Sequence, residues 1–357
     1  MKILNKTSTW TAKLTRWYQK NHRKLPWRRT CDPYKIWVSE IMLQQTTVGA
    51  VIPYYERWVR RFPSIRHVAR ASLEDVLTSW QGLGYYSRAR NLHQAAGIIV
   101  REYDGSIPDN REVLKKLPGF GPYTTGAVLS IAFGQRQPIV DANVRRVICR
   151  LRMLKGKSTL LDKNIYSFLQ DAMPALHPGI FNQALMELGA LVCKPEDPAC
   201  PACPVKSDCR AYAQGVQEAF PPRARKAVKR IETVVGIIRR KDSIFMQKRP
   251  STGLLAGFWE LPGGKVERGE TPRQALAREL KEELGVRVLT ARHAATIRHA
   301  YTQFQVRLFA WECELTPAPK ENATHRWVSR RELAKYPMPA GTVKVLAAVQ
   351  ARLGKIS

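Results

Sequence analysis

The stretch that most constrains this chain runs from Leu117 to Val144. It reads Leu117-Pro118-Gly119-Phe120-Gly121-Pro122-Tyr123, then an apolar run from Ala127 to Phe133, then Val140-Asp141-Ala142-Asn143-Val144. Gly119 and Gly121 suit a tight hairpin that brings backbone N–H groups close to an anion, and a helix following it points its positive end the same way. The pair makes a phosphate cradle. Asp141 follows at the head of the next helical stretch, where a carboxylate can face the bound polyanion. The same residues also suit an ordinary Gly/Pro turn with an N-capping Asp, and short motifs of this kind give false positives.

Charge says which polyanion to look for. Lys and Arg outnumber Asp and Glu by 59 to 29, a net +30, spread along 357 residues rather than confined to a tail. A folded chain this basic attracts polyanions through counterion release. Nucleic acid and an anionic membrane surface are the candidates, and no sequence feature favours the membrane. No apolar run approaches the roughly 20 residues of a spanning helix. Met1 to Arg16 lacks the apolar core of a signal peptide. The expectation is an intracellular protein, cytoplasmic and associated with the nucleoid. In a reducing compartment the 7 cysteines argue against a disulfide framework. Cys31, Cys149 and Cys313 stand alone and read as small buried or half-buried residues.

The length is enough for two domains. From Trp10 to about Tyr212 apolar residues recur at three- and four-residue spacing, broken at Pro53, Pro63, Pro108, Pro118, Pro174 and Pro178. Residues 1–213 are therefore expected to be all-α. Residues 214–230 hold Pro221-Pro222, Arg223, Arg225, Lys226, Lys229 and Arg230 with few apolar anchors, a basic linker. Beyond it the period falls to two. Ile231 to Ile238, Ile244 to Lys248 and Phe304 to Glu312 read as strands, Thr271 to Leu284 and Gly341 to Leu353 as helices. Residues 231–357 are expected to form an α/β or α+β domain.

Cys193, Cys200, Cys203 and Cys209 give the spacing C-x6-C-x2-C-x5-C, stiffened by Pro195, Pro198, Pro201 and Pro204. Four thiolates on so short a loop can enclose one metal centre, zinc or iron–sulfur. The spacing is not one of the usual zinc-finger patterns and resembles the cluster loop of endonuclease III and MutY glycosylases. The order of hairpin, helix and Asp141 likewise resembles the helix-hairpin-helix superfamily of base-excision DNA glycosylases. The resemblance implies a multidomain protein whose all-α glycosylase domain carries a [4Fe-4S] cluster on loop 193–209. The cluster would fix Lys194, Lys206 and Arg210 near the DNA backbone, and Gly119 and Gly121 would hold a phosphate.

A glycosylase that also cuts the strand needs an amine nucleophile. In the endonuclease III pattern that amine is a lysine after the hairpin; here the matching residue is Tyr123. A phenol cannot form the imine, so a monofunctional enzyme is implied. Trp37-Val38-Ser39-Glu40-Ile41-Met42-Leu43-Gln44-Gln45-Thr46 then resembles the MutY adenine glycosylase signature, with Leu25-Pro26-Trp27-Arg28 before it and Gly82-Leu83-Gly84-Tyr85-Tyr86-Ser87-Arg88 after it. Taken alone, Glu40 on a helix face is more often an exposed ion-pair partner. Among Ile36, Trp37, Ile41 and Leu43, on a helix starting near Pro33, its carboxyl would instead hold its proton, as a general acid must.

The resemblance implies that Glu40 protonates a flipped adenine, that the glycosidic bond breaks with oxocarbenium character, and that Asp141 stabilises the sugar cation or adds to it. Tyr123 and Asn143 would orient Asp141 and the sugar. Trp27, Arg28, Leu43 and Gln183 would line the adenine pocket, while Gln45, Thr46, Leu83 and Tyr85 would wedge the duplex and meet the opposite base.

Gly264-x5-Glu270-x7-Arg278-Glu279-Leu280-x-Glu282-Glu283-x-Gly285-Val286 is a complete Nudix box. On a helix Glu279, Glu282 and Glu283 share one face, suited to Mg²⁺. MutY proteins carry a Nudix-like domain that reads 8-oxoguanine. A lesion reader with an inherited acidic face is the favoured expectation, since fold does not fix function; a working nucleoside-diphosphate hydrolase is the alternative. The expected lesion loop is His299 to Phe304, with Tyr301, Thr302 and Gln303, the last standing where a histidine is common. A polar hairpin turn before a strand fits the same residues. The implied partner is duplex DNA with adenine opposite 8-oxoguanine or G, bound by a monomer without membrane association.

Overall fold

The computed structural model describes residues 9–222, 229–250, 253, 255–301 and 304–353. Thr302, Gln303 and linker residues 223–228 lie outside the described residues. The chain divides into two compact units, Met1–Ala71 with Arg88–Ala224, and Ser72–Ser87 with Arg225–Ser357.

The helices run α1 (Thr9–Asn21), α2 (Pro33–Leu43), α3 (Val48–Arg61), α4 (Ile65–Arg70), α5 (Leu73–Trp80), α6 (Ser87–Glu102), α7 (Arg111–Leu114), α8 (Pro122–Ile131), α9 (Ala142–Arg152), α10 (Ser158–Ala172), α11 (Pro178–Leu191) and α12 (Arg210–Ala213). All but α5 build the first unit. Its centre packs Trp10 and Leu14 of α1, Ile148 of α9, Ile165 of α10, and Phe181 and Leu185 of α11.

Helix α2 starts where Asp32 accepts from the Tyr34 and Lys35 amides with Pro33 in the first turn. Its residues from Ile36 to Met42 are buried without a polar face, which carries Glu40 inside the unit. Arg88, itself 7% exposed, closes the far end of α2: its Nη1 donates to the carbonyls of Ile41 (2.9 Å), Met42 (2.8 Å) and Gln44 (2.6 Å). A cation at a helix C-terminus satisfies orphan carbonyls and meets the dipole favourably.

The expected hairpin is the turn between α7 and α8. Gly119 has φ +81, and a Cβ there would lie 3.1 Å from Asn91 Cβ, so turn and packing both require glycine. Two small residues bring α11 against its neighbours. A Cβ on Gly179 would meet the Ser130 carbonyl oxygen at 2.6 Å, and one on Gly189 would meet Asn143 Cβ at 2.6 Å.

The second unit is a 6-stranded mixed sheet in the order β3-β2-β1-β5-β4, with β6 pairing β2. Its strands are β1 (Lys229–Arg240), β2 (Ser243–Lys248), β3 (Trp259–Glu260), β4 (Arg287–Tyr301), β5 (Phe304–Thr316) and β6 (His325–Ser329); its later helices are α13 (Pro272–Leu284) and α14 (Ala340–Leu353). Strands β1 and β5 run parallel from Lys229 and Phe304 to Ile238 and Cys313. Each face has its own core: Val345, Leu346 and Val349 of α14 on one, Ala275, Leu276 and Leu280 of α13 on the other. The alternation along β5 therefore reports two cores, with Leu308 and Ala310 in the first and Phe309 and Trp311 against the second.

Strand β4 has no clean alternation in sequence because register shifts fall between Val288 and Thr290 and between His293 and Ala295. Residues Ser72–Ser87 belong to this unit: the Tyr86 ring packs 4.3 Å from Phe258, and Thr78 Oγ1 reaches the Lys335 carbonyl at 3.5 Å. Among the described residues no helix is long and apolar enough to cross a membrane.

Candidate active site

A cavity of about 450 Å³ in the first unit is lined by Trp27, Arg28, Glu40, Tyr123, Asp141 and Gln183, among others. Glu40 projects from α2 and is 4% exposed. Burial pushes its carboxyl up to about 7, with the Asp141 charge adding to the shift and a hydrogen bond from Tyr123 and the Arg28 charge opposing it. The Tyr123 hydroxyl donates to Glu40 Oε2 at 2.6 Å and touches Met186 Sδ at 3.3 Å. Burial and the Glu40 and Asp141 charges raise the Tyr123 phenol well above its ordinary value, so it stays a donor.

Asp141 caps α9. Its Oδ1 accepts from the Val144 amide at 2.6 Å and its Oδ2 from Asn143 Nδ2 at 3.0 Å. Burial raises its carboxyl, and these hydrogen bonds with the Arg146 charge pull it back. Asn143 Oδ1 in turn accepts from Arg146 Nη2 at 2.8 Å, and Arg146 Nε donates to the Cys193 carbonyl at 2.6 Å. A chain of three side chains thus leads from the carboxylate to the first cysteine of the loop.

Under the pocket, Gln183 accepts from the Tyr18 hydroxyl, and the Arg28 guanidinium lies 5.4 Å from the Tyr18 ring centroid. Arg28 Nη2 donates to Glu187 Oε2 at 2.8 Å. Arg23 grips the same carboxylate through Nε at 2.9 Å and Nη2 at 2.7 Å. Although burial alone would raise it, these arginines bring Glu187 down to about 2. Leu43 and Thr46 line the same cavity.

Tyr18, Arg23, Arg146, Met186 and Glu187 are absent from the sequence-derived site. The spacing of Gln183 and Glu187, one turn apart on α11, is the signal that could have found Glu187. Gln45 is exposed, with φ +56, beside the lining residues Leu43 and Thr46. Leu83 (6% exposed) and Tyr85 (φ +49) belong to the second unit and do not line the cavity. Gly119 and Gly121 precede α8 outside the lining.

Cys193, Cys200, Cys203 and Cys209 are free and half-buried between α11 and α12. Burial and mutual repulsion raise the Cys200 and Cys203 thiols, Cys203 to about 12. Among the described residues no group of three or more His, Cys, Asp or Glu is arranged to hold a metal ion. A four-iron cluster asks something different, since each cysteine meets its own iron and the four need only surround a shared space. Arg150, 1% exposed, donates to Cys193 Sγ at 3.4 Å and, among the described residues, to no carboxylate. Four half-buried cysteines beside two buried guanidiniums, Arg146 and Arg150, fit an anionic centre.

The Nudix box sits on α13, opened by a capping box of Thr271 and Gln274. Its carboxylates already have partners. Arg278 reaches Glu270 at 2.7 Å and both Glu279 and Glu282 at 3.1 Å. Glu283 accepts from Gln247 Nε2 at 2.9 Å and the Gly263 amide at 3.1 Å. Arginine, glutamine and a backbone amide thus balance the acidic face of the box. Tyr301 ends β4 and pairs with Phe304.

Residues 38–168 match the HhH-GPD superfamily base excision DNA repair protein family, and residues 233–348 match the NUDIX domain family. The adenine DNA glycosylase of Homo sapiens is 35% identical, the match covering 94% of this chain and 73% of that protein. That of Mus musculus is 34% identical, covering 94% and 76%. Among solved structures, a thermostable thymine-DNA glycosylase aligns with TM-score 0.54 at 28% identity, covering 58% of this chain and 97% of its own. Endonuclease III in a non-covalent DNA complex aligns at 0.51 and 25%, covering 58% and 95%. With its buried acid and capping carboxylate in one cavity, this chain belongs to the adenine DNA glycosylase family of base excision repair.

Proposed function

We propose that this adenine glycosylase acts on adenine opposite 8-oxoguanine or G, with Glu40 as general acid and Asp141 as the carboxylate facing the sugar cation. The pairing of a buried carboxyl raised to about 7 with a second, hydrogen-bonded carboxylate in one cavity supports this reading. Glu40 gives its proton to the departing base, and Asp141, held by Val144 and Asn143, faces the positive charge that develops on the sugar. Tyr123 keeps Glu40 oriented. Trp27, Arg28, Leu43 and Gln183 hold the base, with Arg28 pinned by Glu187. Gln45, Thr46, Leu83 and Tyr85 contact the opened duplex, and the turn at Gly119 and Gly121 holds a phosphate.

Tyr123 stands where a strand-cutting relative needs an amine, which supports hydrolysis without lyase chemistry. Cys193, Cys200, Cys203 and Cys209 would hold a [4Fe-4S] cluster that fixes the loop bearing Lys194, Lys206 and Arg210 against DNA. Residues 231–357 serve as the lesion reader, with Tyr301, Thr302 and Gln303 toward 8-oxoguanine; no hydrolytic step is assigned to the Nudix box. The protein acts as a cytoplasmic, nucleoid-associated monomer on duplex DNA.

The test incubates duplexes carrying adenine opposite 8-oxoguanine or G, then treats half of each with alkali. Strand breaks should come mainly after alkali and vanish in Asp141→Asn. Breaks without alkali would refute the monofunctional reading, and no product in either half would refute the mismatch assignment.

A further inference from the structure

Arg150 lies on α9 and is 1% exposed, among the largest fully buried side chains of the protein. Its Nε donates to the Phe220 carbonyl at 3.0 Å, its Nη1 to the Lys194 carbonyl at 2.6 Å, and its Nη2 to the Pro195 carbonyl at 3.1 Å. Nη1 also reaches Cys193 Sγ at 3.4 Å, and the Arg150 carbonyl accepts from Cys209 Sγ at 3.5 Å. First and last cysteines of the loop therefore meet at one residue. A guanidinium taken out of water requires an anion nearby, and neutral carbonyls supply only part of that compensation. Among the described residues no carboxylate is bonded to it, and the one side chain its guanidinium reaches there is Cys193 of the loop.

We propose that Arg150 is the buried counter-charge of an anionic iron–sulfur centre on the Cys193–Cys209 loop, retaining the centre and setting its reduction potential. The proposal rests on the reading of those cysteines as cluster ligands. The planar fork serves three carbonyls and a sulfur at once, which a lysine cannot reproduce. A fixed positive charge beside the cluster favours the form carrying one more electron, so its removal makes that electron harder to add.

The experiment compares the whole protein, purified without oxygen, as wild type, Arg150→Met and Arg150→Lys. It measures iron per chain, the rate of iron loss to a chelator, and the one-electron reduction potential at an electrode. Wild type should carry about four iron atoms. Arg150→Met should lose iron roughly 10–100-fold faster, the usual cost of removing a group that supports metal ligands, and its potential should move negative. Arg150→Lys should keep a potential close to wild type. A Met variant with wild-type potential and wild-type iron loss overturns the proposal. Should the Met variant hold no cluster, the Lys variant decides: a cluster at wild-type potential supports the charge role, and no cluster makes Arg150 a staple for the loop and overturns it. Wild type purified without iron would overturn the cluster reading itself, and this inference with it.

Discussion

The Tyr123 hydroxyl lies 2.6 Å from Glu40 Oε2 and donates to it, joining the first turn of α8 to the middle of α2 across 83 residues of sequence. A phenol in that position favours the ionised carboxylate, so it opposes the burial that pushes Glu40 up. Tyr123→Phe keeps the ring and removes the donor. Glu40 should then titrate above its value of about 7, and the alkaline limb of the rate profile should move upward with it. Single-turnover rates should also fall about 10–100-fold because the acid loses its orientation. An unmoved limb would detach Tyr123 from the acid.

The wild-type profile follows from the two carboxyls. In the proposed reaction Glu40 acts protonated, and its carboxyl is held at about 7, so adenine release should decline about tenfold per pH unit once pH rises beyond that value. The same proposal has Asp141 ionised, and burial raises its carboxyl, so the acid limb should begin above the ordinary aspartate range. Rates measured on one duplex from acid to alkaline pH should trace a bell. Glu40→Gln should remove the alkaline limb together with nearly all activity; a surviving limb would assign it to another group.

The raised Glu40 carboxyl also bears on stability. The folded protein holds that proton more tightly than the unfolded chain, so this contribution is full below about 4.5 and is lost as pH rises through about 7. At pH 8 the buried charge costs up to roughly 3 kcal/mol. Glu40→Gln, which keeps an acceptor for Tyr123, should therefore melt higher than wild type at pH 8 and equal to it near pH 4. Equal melting at both pH values would mean that the charge is solvated.

How far such a site can be read from sequence depends on where its partners lie. Asp141 stands out through a local pattern, a capping Asp behind a Gly/Pro turn, whereas Glu40 alone reads as an exposed ion-pair partner and is singled out by the resemblance of Trp37 to Thr46 to the MutY signature. Glu187 carries the same residue type on an equally apolar helix, but its meaning lies with Arg23 and Arg28, some 160 positions away. The chain's 59 basic residues offered no way to choose those two. The fold shows the same division. Helix α13 announces itself through Thr271, Pro272 and Gln274, whereas β4 is hidden by its own register shifts. The membership of Ser72–Ser87 in the second unit rests on contacts such as Tyr86 with Phe258, which no local pattern encodes.

The glycines of the turn, equivalent in sequence, are separated by the structure. Gly119 has φ +81 with Asn91 at 3.1 Å from a built Cβ, so Gly119→Ala should cost about 1–2 kcal/mol by chemical denaturation. Gly121 has φ −69, and a Cβ there would meet no atom of the described residues within 4 Å. Gly121→Ala should leave stability within about 0.5 kcal/mol yet weaken duplex binding, because its methyl enters the space a phosphate would use. A Gly121 variant that binds DNA normally would place the phosphate elsewhere.

Glu187 gives the last prediction, because it ties pocket to stability. Arg23 and Arg28 bring its carboxyl down to about 2, so its contribution is present above about 4.5 and is lost as pH falls toward that lower value. With Arg23 partly open to solvent, the contribution is about 1–3 kcal/mol. Glu187→Gln should destabilise the protein at pH 7 by that amount, and the gap to wild type should narrow on acidification. Freed from Glu187 Oε2, Arg28 should no longer hold its place against Tyr18 and Gln183, so adenine release should slow even where the protein is fully folded. Melting curves at pH 7 and pH 3 and single-turnover rates well below the melting temperature separate the two effects. A variant that is destabilised but excises adenine at the wild-type rate would confine Glu187 to holding the fold.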